Sequence, residues 1–142
     1  MNLALVGNVG KGKSSFVKWI RDIFKAVDQP EPIIGHDINP GNLIQKEYQF
    51  DKIYILDTPG SNNGEDNDIN AANSVVEHYR IKGHLNAIFI FMNANEVRVP
   101  NSEWNIIDRL KDCFGIDVLH NILLVFTHAY DKDIEDDCKH KA

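Results

Sequence analysis

A glycine-rich segment near the amino terminus has the residue types and spacing of a phosphate-binding loop. Residues 7–14 read G-N-V-G-K-G-K-S and match the pattern G-x-x-x-x-G-K-[ST] at every fixed position. Glycines let backbone N–H groups curl around phosphate oxygens, and a following helix presents its positive end to the same anion. The residues expected to hold a nucleotide here are Gly7, Asn8, Val9, Gly10, Lys11, Gly12, Lys13, Ser14 and Ser15.

Four side chains of this loop have separate expected roles. Lys13 is expected to reach the β- and γ-phosphates, the Ser14 hydroxyl to ligate Mg²⁺, and Ser15 to touch the α-phosphate. Lys11 has two interpretations, a second cation beside the phosphates or a solvated loop lysine, and we favour the second.

A second motif, D-T-P-G at residues 57–60, follows a short apolar run. At a strand end, the Asp57 carboxylate can hold Mg²⁺ through a water, and the Gly60 N–H can sense a γ-phosphate. An isolated D-x-x-G is weak evidence and also fits a simple aspartate turn. Its place after a phosphate loop and before a polar run favours a nucleotide switch.

The third motif, F-T-H-A-Y-D at residues 126–131, has the residue types that recognise a guanine base. His128 would lie flat against the base, and Asp131 would accept hydrogen bonds from the guanine N1 and N2 donors, which adenine lacks. Two alternatives stay open: His128 as a solvent-exposed loop residue, and Asp133 in place of Asp131. The motif counts against an ATP-using, kinase-like phosphate-loop protein.

The elements around these motifs alternate between strands and helices. Apolar runs predict strands at 2–6, 43–50, 53–56, 87–92 and 122–126, with a tight turn at 51–52 making the second and third antiparallel. Helical periodicity predicts helices at 14–27 and 71–82. A third helix, capped by Asn101 or Ser102, is predicted to run to Phe114 with its apolar residues on one face, namely Trp104, Ile107, Leu110 and Phe114. Residues 28–42 and 60–70 are expected to be loops, the second the most flexible part of the chain. The order predicts an α/β fold, a P-loop NTPase three-layer sandwich whose mostly parallel sheet has one antiparallel strand.

Bulk composition places these elements in a single domain, residues 1–142. The net charge of −6 and the pI of about 5.4 argue against a nucleic-acid partner. No run approaches the ~20 apolar residues of a transmembrane segment, and Cys113 and Cys138 are expected to be free thiols in a reducing compartment. The cytoplasm is the expected location.

Taken together, the motifs make the sequence resemble the immunity-associated nucleotide-binding GTPases, a family related to the chloroplast outer-envelope import GTPases. The matching stretches are G-N-V-G-K-G-K-S-S, D-T-P-G, the segment from Ala87 through K-D-C-F-G, and L-L-V-F-T-H-A. The resemblance implies GTP and GDP binding, and nucleotide-dependent homodimer formation through the G domain. It also implies work at organelle or vesicle membranes, hence peripheral association with a cytosolic membrane face.

Three departures from this pattern bear on hydrolysis and on completeness. No serine or threonine lies between Phe16 and Leu56 to complete the Mg²⁺ shell from the first switch, where only Asp37 or Asn39 could substitute. No glutamine follows D-T-P-G to orient an attacking water. The residues after Phe126 cannot supply a final strand and helix, so we expect a domain truncated at its carboxyl terminus with an unprotected fifth strand. Two functions therefore stay open, a slow GTPase that dimerises and a binding module without useful turnover.

The base-recognition assignment gives a direct prediction. In Asp131→Asn, xanthine nucleotides should gain affinity relative to guanine nucleotides, because the amide can donate a hydrogen bond where the carboxylate only accepts. Competition of GDP and XDP against a fluorescent GDP analogue measures the ratio. If Asp133→Asn shifts the ratio and Asp131→Asn does not, Asp133 is the base-reading residue.

Overall fold

The first apolar run forms the central strand of a five-stranded sheet. The computed structural model describes residues 1–26, 28, 46–60, 65–96, 98 and 101–129. The strands are β1 (Asn2–Val6), β2 (Lys46–Phe50), β3 (Ile53–Asp57), β4 (Ala87–Asn93) and β5 (Ile122–Thr127). Their spatial order is β2-β3-β1-β4-β5, and only the β2–β3 pair is antiparallel. This confirms the predicted mostly parallel sheet with one antiparallel strand.

Three α-helices cover the two faces of this sheet and make the predicted three layers. They are α1 (Lys13–Ile23), α2 (Glu65–Lys82) and α3 (Asn101–Phe114), and a 3₁₀ helix at Ile116–Asn121 precedes β5. Side chains of β1 alternate between the faces: Leu3 and Leu5 pack on the α1 side, whereas Ala4 and Val6 pack on the α2 and α3 side. Every residue of β1 is buried because both faces are covered.

Aromatic rings fix α1 to the sheet. Phe16 meets the rings of Phe89 and Phe91 edge-on, with centroids 5.6 and 5.7 Å away. The ring of Trp19 lies 5.9 Å from that of Phe16 and is 58% exposed. Edge-to-face pairs of this kind add to the stabilisation from burial, so the helix that follows the phosphate loop is firmly attached to β4.

The start of α2 differs from the sequence prediction. The helix begins at Glu65 rather than Ala71, so residues 65–70 are not the flexible loop that their polarity predicted. Asp68 is buried and accepts a hydrogen bond from Asn105 Nδ2 of α3 at 3.2 Å. A tertiary contact with α3 thus stabilises a turn that has little apolar surface of its own.

Three smaller differences concern helix ends and faces. The first helix ends at Ile23, short of the predicted Val27, and the 3₁₀ helix was not predicted. On α3, Trp104 is 52% exposed, and Glu103 and Ile106 share the buried face with the correctly predicted Ile107 and Leu110. The predicted strand residues 43–45 lie outside the described part of the chain.

An apolar surface lies at one edge of the sheet, along β5. Leu123, Leu124 and Phe126 are 48%, 50% and 58% exposed within the described structure. Among the described helices, none combines the length and apolar character needed to cross a membrane.

A buried histidine connects α2 to β2. His78 is 2% exposed, and its Nδ1 lies 2.9 Å from Glu47 Oε1. Glu47 also pairs with Lys82 at 3.2 Å, while His78 Nε2 has no hydrogen-bond partner among the described residues. Burial lowers the pKa of His78 below its usual value, against the opposing effect of the Glu47 carboxylate.

This lowered pKa predicts a pH-dependent stability. Because the unfolded chain binds a proton at His78 more readily than the folded chain does, the stabilisation is present above the unfolded pKa of about 6.5 and is lost as pH falls below it. The free energy of unfolding changes through this one group by at most about 1.4 kcal/mol per pH unit. Melting temperatures between pH 7.5 and 5 should therefore fall less steeply in His78→Gln than in wild type. His120→Gln, on an exposed residue, is the control, and equal slopes for His78→Gln and wild type would contradict the prediction.

Candidate functional site

The phosphate-loop motif follows β1, at the point in the sheet where successive chain connections run to opposite sides. β1 pairs with β3 on one side and β4 on the other, so the chain connections leaving these strands diverge at the carboxyl end of β1. Ligands of open α/β sheets bind at such a point. The loop that follows Val6 therefore lies where the fold favours a ligand.

Positive φ angles at three glycines shape this loop. Gly7, Gly10 and Gly12 have φ of 141°, 78° and 93°. A Cβ on Gly7 would lie 2.7 Å from the Phe91 carbonyl oxygen, and one on Gly12 would lie 3.3 Å from Thr127 Cγ2. The loop is thus pressed against β4 and β5, and Gly7 leaves no room for a side chain.

Lys13 is buried inside the loop that it ends. Its Nζ donates to the carbonyl oxygens of Gly7 at 2.7 Å and Asn8 at 3.1 Å. Burial lowers its pKa to about 8, although the carboxylates of Asp57 and Glu103 act in the opposite direction. The Lys13 ammonium is therefore held within the loop, and two carboxylates favour its charged form.

The amino terminus of α1 presents a favourable potential for an anion. Gly12 is its N-cap, no side chain caps the helix, and its first turn contains no acidic residue. The first N–H groups of a helix have no partner within it and attract phosphates. Ser15, on this first turn, is exposed.

Ser14 and Asp57 form a pair suited to a hard divalent cation. The Ser14 hydroxyl donates to Asp57 Oδ2 at 3.1 Å, and Asp57 Oδ1 is buried without a hydrogen-bond partner in the described structure. Burial raises the pKa of Asp57, whereas the charges of Lys13 and Lys46 and the hydrogen bond from Ser14 act to lower it. A buried, unpartnered carboxylate oxygen beside a hydroxyl fits the oxygen-ligand chemistry of Mg²⁺. Among the described residues, no group of three or more His, Cys, Asp or Glu side chains is placed to hold a metal ion.

The rest of D-T-P-G is fixed against β1 and the loop. Thr58 donates to the Leu5 carbonyl from both its backbone N–H, at 3.2 Å, and its hydroxyl, at 2.8 Å. A Cβ on Gly60 would lie 2.6 Å from the Val9 backbone nitrogen. The end of the D-T-P-G motif therefore lies directly against Val9, in the middle of the glycine-rich loop.

The favoured interpretation of Lys11 as a solvated residue is wrong. Lys11 is 7% exposed and forms an ion pair with Glu96, which follows β4. Its carbonyl oxygen lies 2.9 Å from the Thr127 hydroxyl at the end of β5. Lys11 thus connects the loop to the segments after β4 and β5, and its ammonium is neutralised by Glu96.

The third motif begins at the same edge of the sheet. His128 is exposed, has a φ of 57°, and its carbonyl oxygen accepts a hydrogen bond from Asn95 Nδ2 at 2.7 Å. Histidine tolerates the left-handed region better than most residues. Asp131 and its rival Asp133 lie outside the described residues, as do Asp37 and Asn39.

Sequence reasoning missed the contribution of the segment joining β4 to α3. Asn95 and Glu96 follow β4 at the ligand-binding edge, and the position alone could have identified them. Glu103 contacts Asn8, with Oε1 3.3 Å from Asn8 Nδ2. The available signal was a charged residue in register with Ile106, Ile107 and Leu110 on the apolar stripe of α3.

Comparison with known proteins agrees with this architecture. The sequence model of the AIG1 family matches residues 1–140. The structure is similar to that of Toc33 from Arabidopsis thaliana in complex with GDP and Mg²⁺, at 20% identity and a TM-score of 0.62, and to a dimerization-deficient mutant of Toc33, at 19% and 0.61. Both comparisons cover 90% of this chain and 50% of the other, so this chain spans half the length of those structures. No curated protein matches the sequence.

The close approach of Gly60 to the loop predicts the effect of a single methyl group. Gly60→Ala should displace the Val9 backbone and weaken GDP binding at least tenfold, because two of the three nearest atoms, Val9 N and Cα, are backbone and cannot rotate away. Gly83→Ala is the control, since its added Cβ meets open space although its φ is 76°. Affinity for a fluorescent GDP analogue checks this, and wild-type binding by Gly60→Ala would refute the assigned contact.

Proposed function

Since this chain belongs to the AIG1 family, we propose that it binds GTP and GDP, with Mg²⁺, at the loop following β1. The observation that carries the proposal is the arrangement of Lys13, whose buried ammonium lies inside a loop of positive-φ glycines at an uncapped helix terminus. Such an arrangement has a net attraction for an anion of several oxygens, which is the chemistry of a phosphate chain.

Phosphate binding would proceed by exchange of hydrogen-bond partners. Lys13 Nζ now donates to two loop carbonyls, and these contacts are replaced by phosphate oxygens when a nucleotide enters. The N–H groups at the start of α1 donate to the same anion. Because contacts with β4 and β5 already hold the loop, nucleotide binding would require little further ordering of the loop. Little binding free energy would therefore be lost to that ordering.

Ser14 and Asp57 would hold the metal ion. When bound, Mg²⁺ supplies a positive charge that offsets the negative charge of the phosphate oxygens. Asp57 Oδ2 accepts from the Ser14 hydroxyl, and its Oδ1, which has no hydrogen-bond partner in the described part of the chain, would be available toward the ion. Gly60, beside Val9, would present its N–H to a γ-phosphate.

Recognition of the base is assigned to the segment after β5. His128 would stack on the guanine ring, and Asp131 would accept from its N1 and N2 donors. For His128 the assignment is supported by its exposure and by the hydrogen bond from Asn95 that holds its backbone carbonyl.

We propose slow, Mg²⁺-dependent GTP hydrolysis coupled to formation of a homodimer through the G domain. Supporting this is a structural neighbour described as having a dimerization-deficient mutant. A second candidate, a nucleotide-binding scaffold or switch without turnover, is favoured by the lack of serine and threonine between Phe16 and Leu56 and of a glutamine after Gly60. Peripheral association with a cytosolic membrane face belongs to the same proposal.

The two candidates are separated by enzymology. Phosphate release from GTP is measured at low and high protein concentration, with sedimentation of the GDP-bound and GTP-analogue-bound forms. A rate per molecule that rises with concentration supports the dimerising GTPase. Binding without phosphate release at any concentration supports the scaffold.

The phosphate-site assignment predicts the effect of removing the central cation. Lys13→Ala should cost roughly 2–5 kcal/mol of binding free energy, because it removes a charge-assisted contact in a buried site. Calorimetric titration with GDP measures this, and Lys52→Ala, in the exposed turn between β2 and β3, is the control. Wild-type affinity in Lys13→Ala would overturn the assignment.

A further inference from the structure

A fully buried carboxylate lies behind the phosphate loop. Glu103, in the first turn of α3, is 0% exposed and shares the buried helix face with Ile106 and Leu110. Burial of an ionised carboxylate is costly unless other groups donate hydrogen bonds to it. A glutamate at this core position therefore needs specific partners to offset its lost hydration.

Those partners come from α3 and from the loop. Glu103 Oε2 accepts from the Ser102 hydroxyl at 2.6 Å, and Oε1 accepts from Asn8 Nδ2 at 3.3 Å. Asn8 Nδ2 also donates to the Ser102 hydroxyl oxygen at 2.8 Å, which closes a three-membered network. The carboxylate lies near the amino terminus of α3, where the helix dipole stabilises negative charge.

Through this network Asn8 is held from two sides. Its side chain is bound by Ser102 and Glu103, and its carbonyl oxygen accepts from Lys13 Nζ at 3.1 Å. The negative charge of Glu103 also favours the charged form of the buried Lys13 ammonium, acting to raise its pKa. Both effects preserve the loop in a conformation suited to an anion.

We propose that Glu103 is a positioning residue of the phosphate site, which acts through Asn8 to couple the loop to α3. The inference rests on the proposed nucleotide-binding function and deepens it. Because Glu103 belongs to α3, binding of a nucleoside diphosphate and the position of that helix are linked, and the coupling is reciprocal.

The test uses the whole chain and a fluorescent GDP analogue, mant-GDP. In Glu103→Gln the amide nitrogen cannot accept a hydrogen bond, so either Asn8 Nδ2 or the Ser102 hydroxyl loses its partner. Affinity for mant-GDP should therefore fall about tenfold, as expected for loss of a hydrogen bond to a charged group. Asp108→Asn, an exposed carboxylate on the same helix, is the matched control and should bind as wild type. Equal affinities for Glu103→Gln and wild type overturn the inference and leave the proposed function intact. A wild type that does not bind mant-GDP removes both.

A double-mutant cycle separates positioning from general stability. Asn8→Ala should weaken binding by a similar factor, and Asn8→Ala/Glu103→Gln should bind no more weakly than the weaker single variant. Losses that multiply would overturn the inference, because a merely structural glutamate acts independently of Asn8. If Glu103→Gln does not fold, Ser102→Ala replaces it in the cycle, since that hydroxyl contacts both partners. Thermal melting of the nucleotide-free variants confirms that each is folded at the assay temperature.

Discussion

A buried ammonium must be surrounded by oxygen atoms, and Lys13 obtains them from the carbonyls of its own loop. This requirement determines the shape of the site. The carbonyls of Gly7 and Asn8 face the ammonium, and Gly7 itself has a φ of 141° and lies so close to Phe91 that no side chain fits there. The carboxylates of Asp57 and Glu103 then balance the buried charge from two different elements.

The sheet makes this arrangement possible because β1 is covered on both faces. With Leu3 and Leu5 under α1, and Ala4 and Val6 under α2 and α3, the end of β1 has little freedom to move. The loop is then attached laterally, through Lys11 to Glu96 and Thr127. The site thus consists of short segments that end neighbouring strands, and each contributes a few polar groups to a common edge.

The sequence predicted the mostly parallel sheet with one antiparallel strand, and the helix after the glycine-rich loop, because local signals specify them. Apolar runs mark strands, and a glycine pattern between a strand and a helix has one common use. What it did not reveal depends on contacts between distant segments. Residues 65–70 look like a loop until Asn105 is placed beside Asp68. Lys11 looks solvated until the segment after β4 brings Glu96 to it. On α3, Trp104 is half exposed, whereas its neighbour Glu103 is buried.

The positions of the two tryptophans have an optical consequence. Trp19 lies on α1, the helix that starts at the phosphate loop, and Trp104 directly follows Glu103 on α3. Both indoles are more than half exposed, so their emission responds to solvent and to soluble quenchers. The emission of Trp19 therefore reports on α1, which continues from the loop. The emission of Trp104 reports on α3, which contacts the loop through Glu103. Comparison of single-tryptophan variants would show whether the two sides move together or in sequence, without an added label.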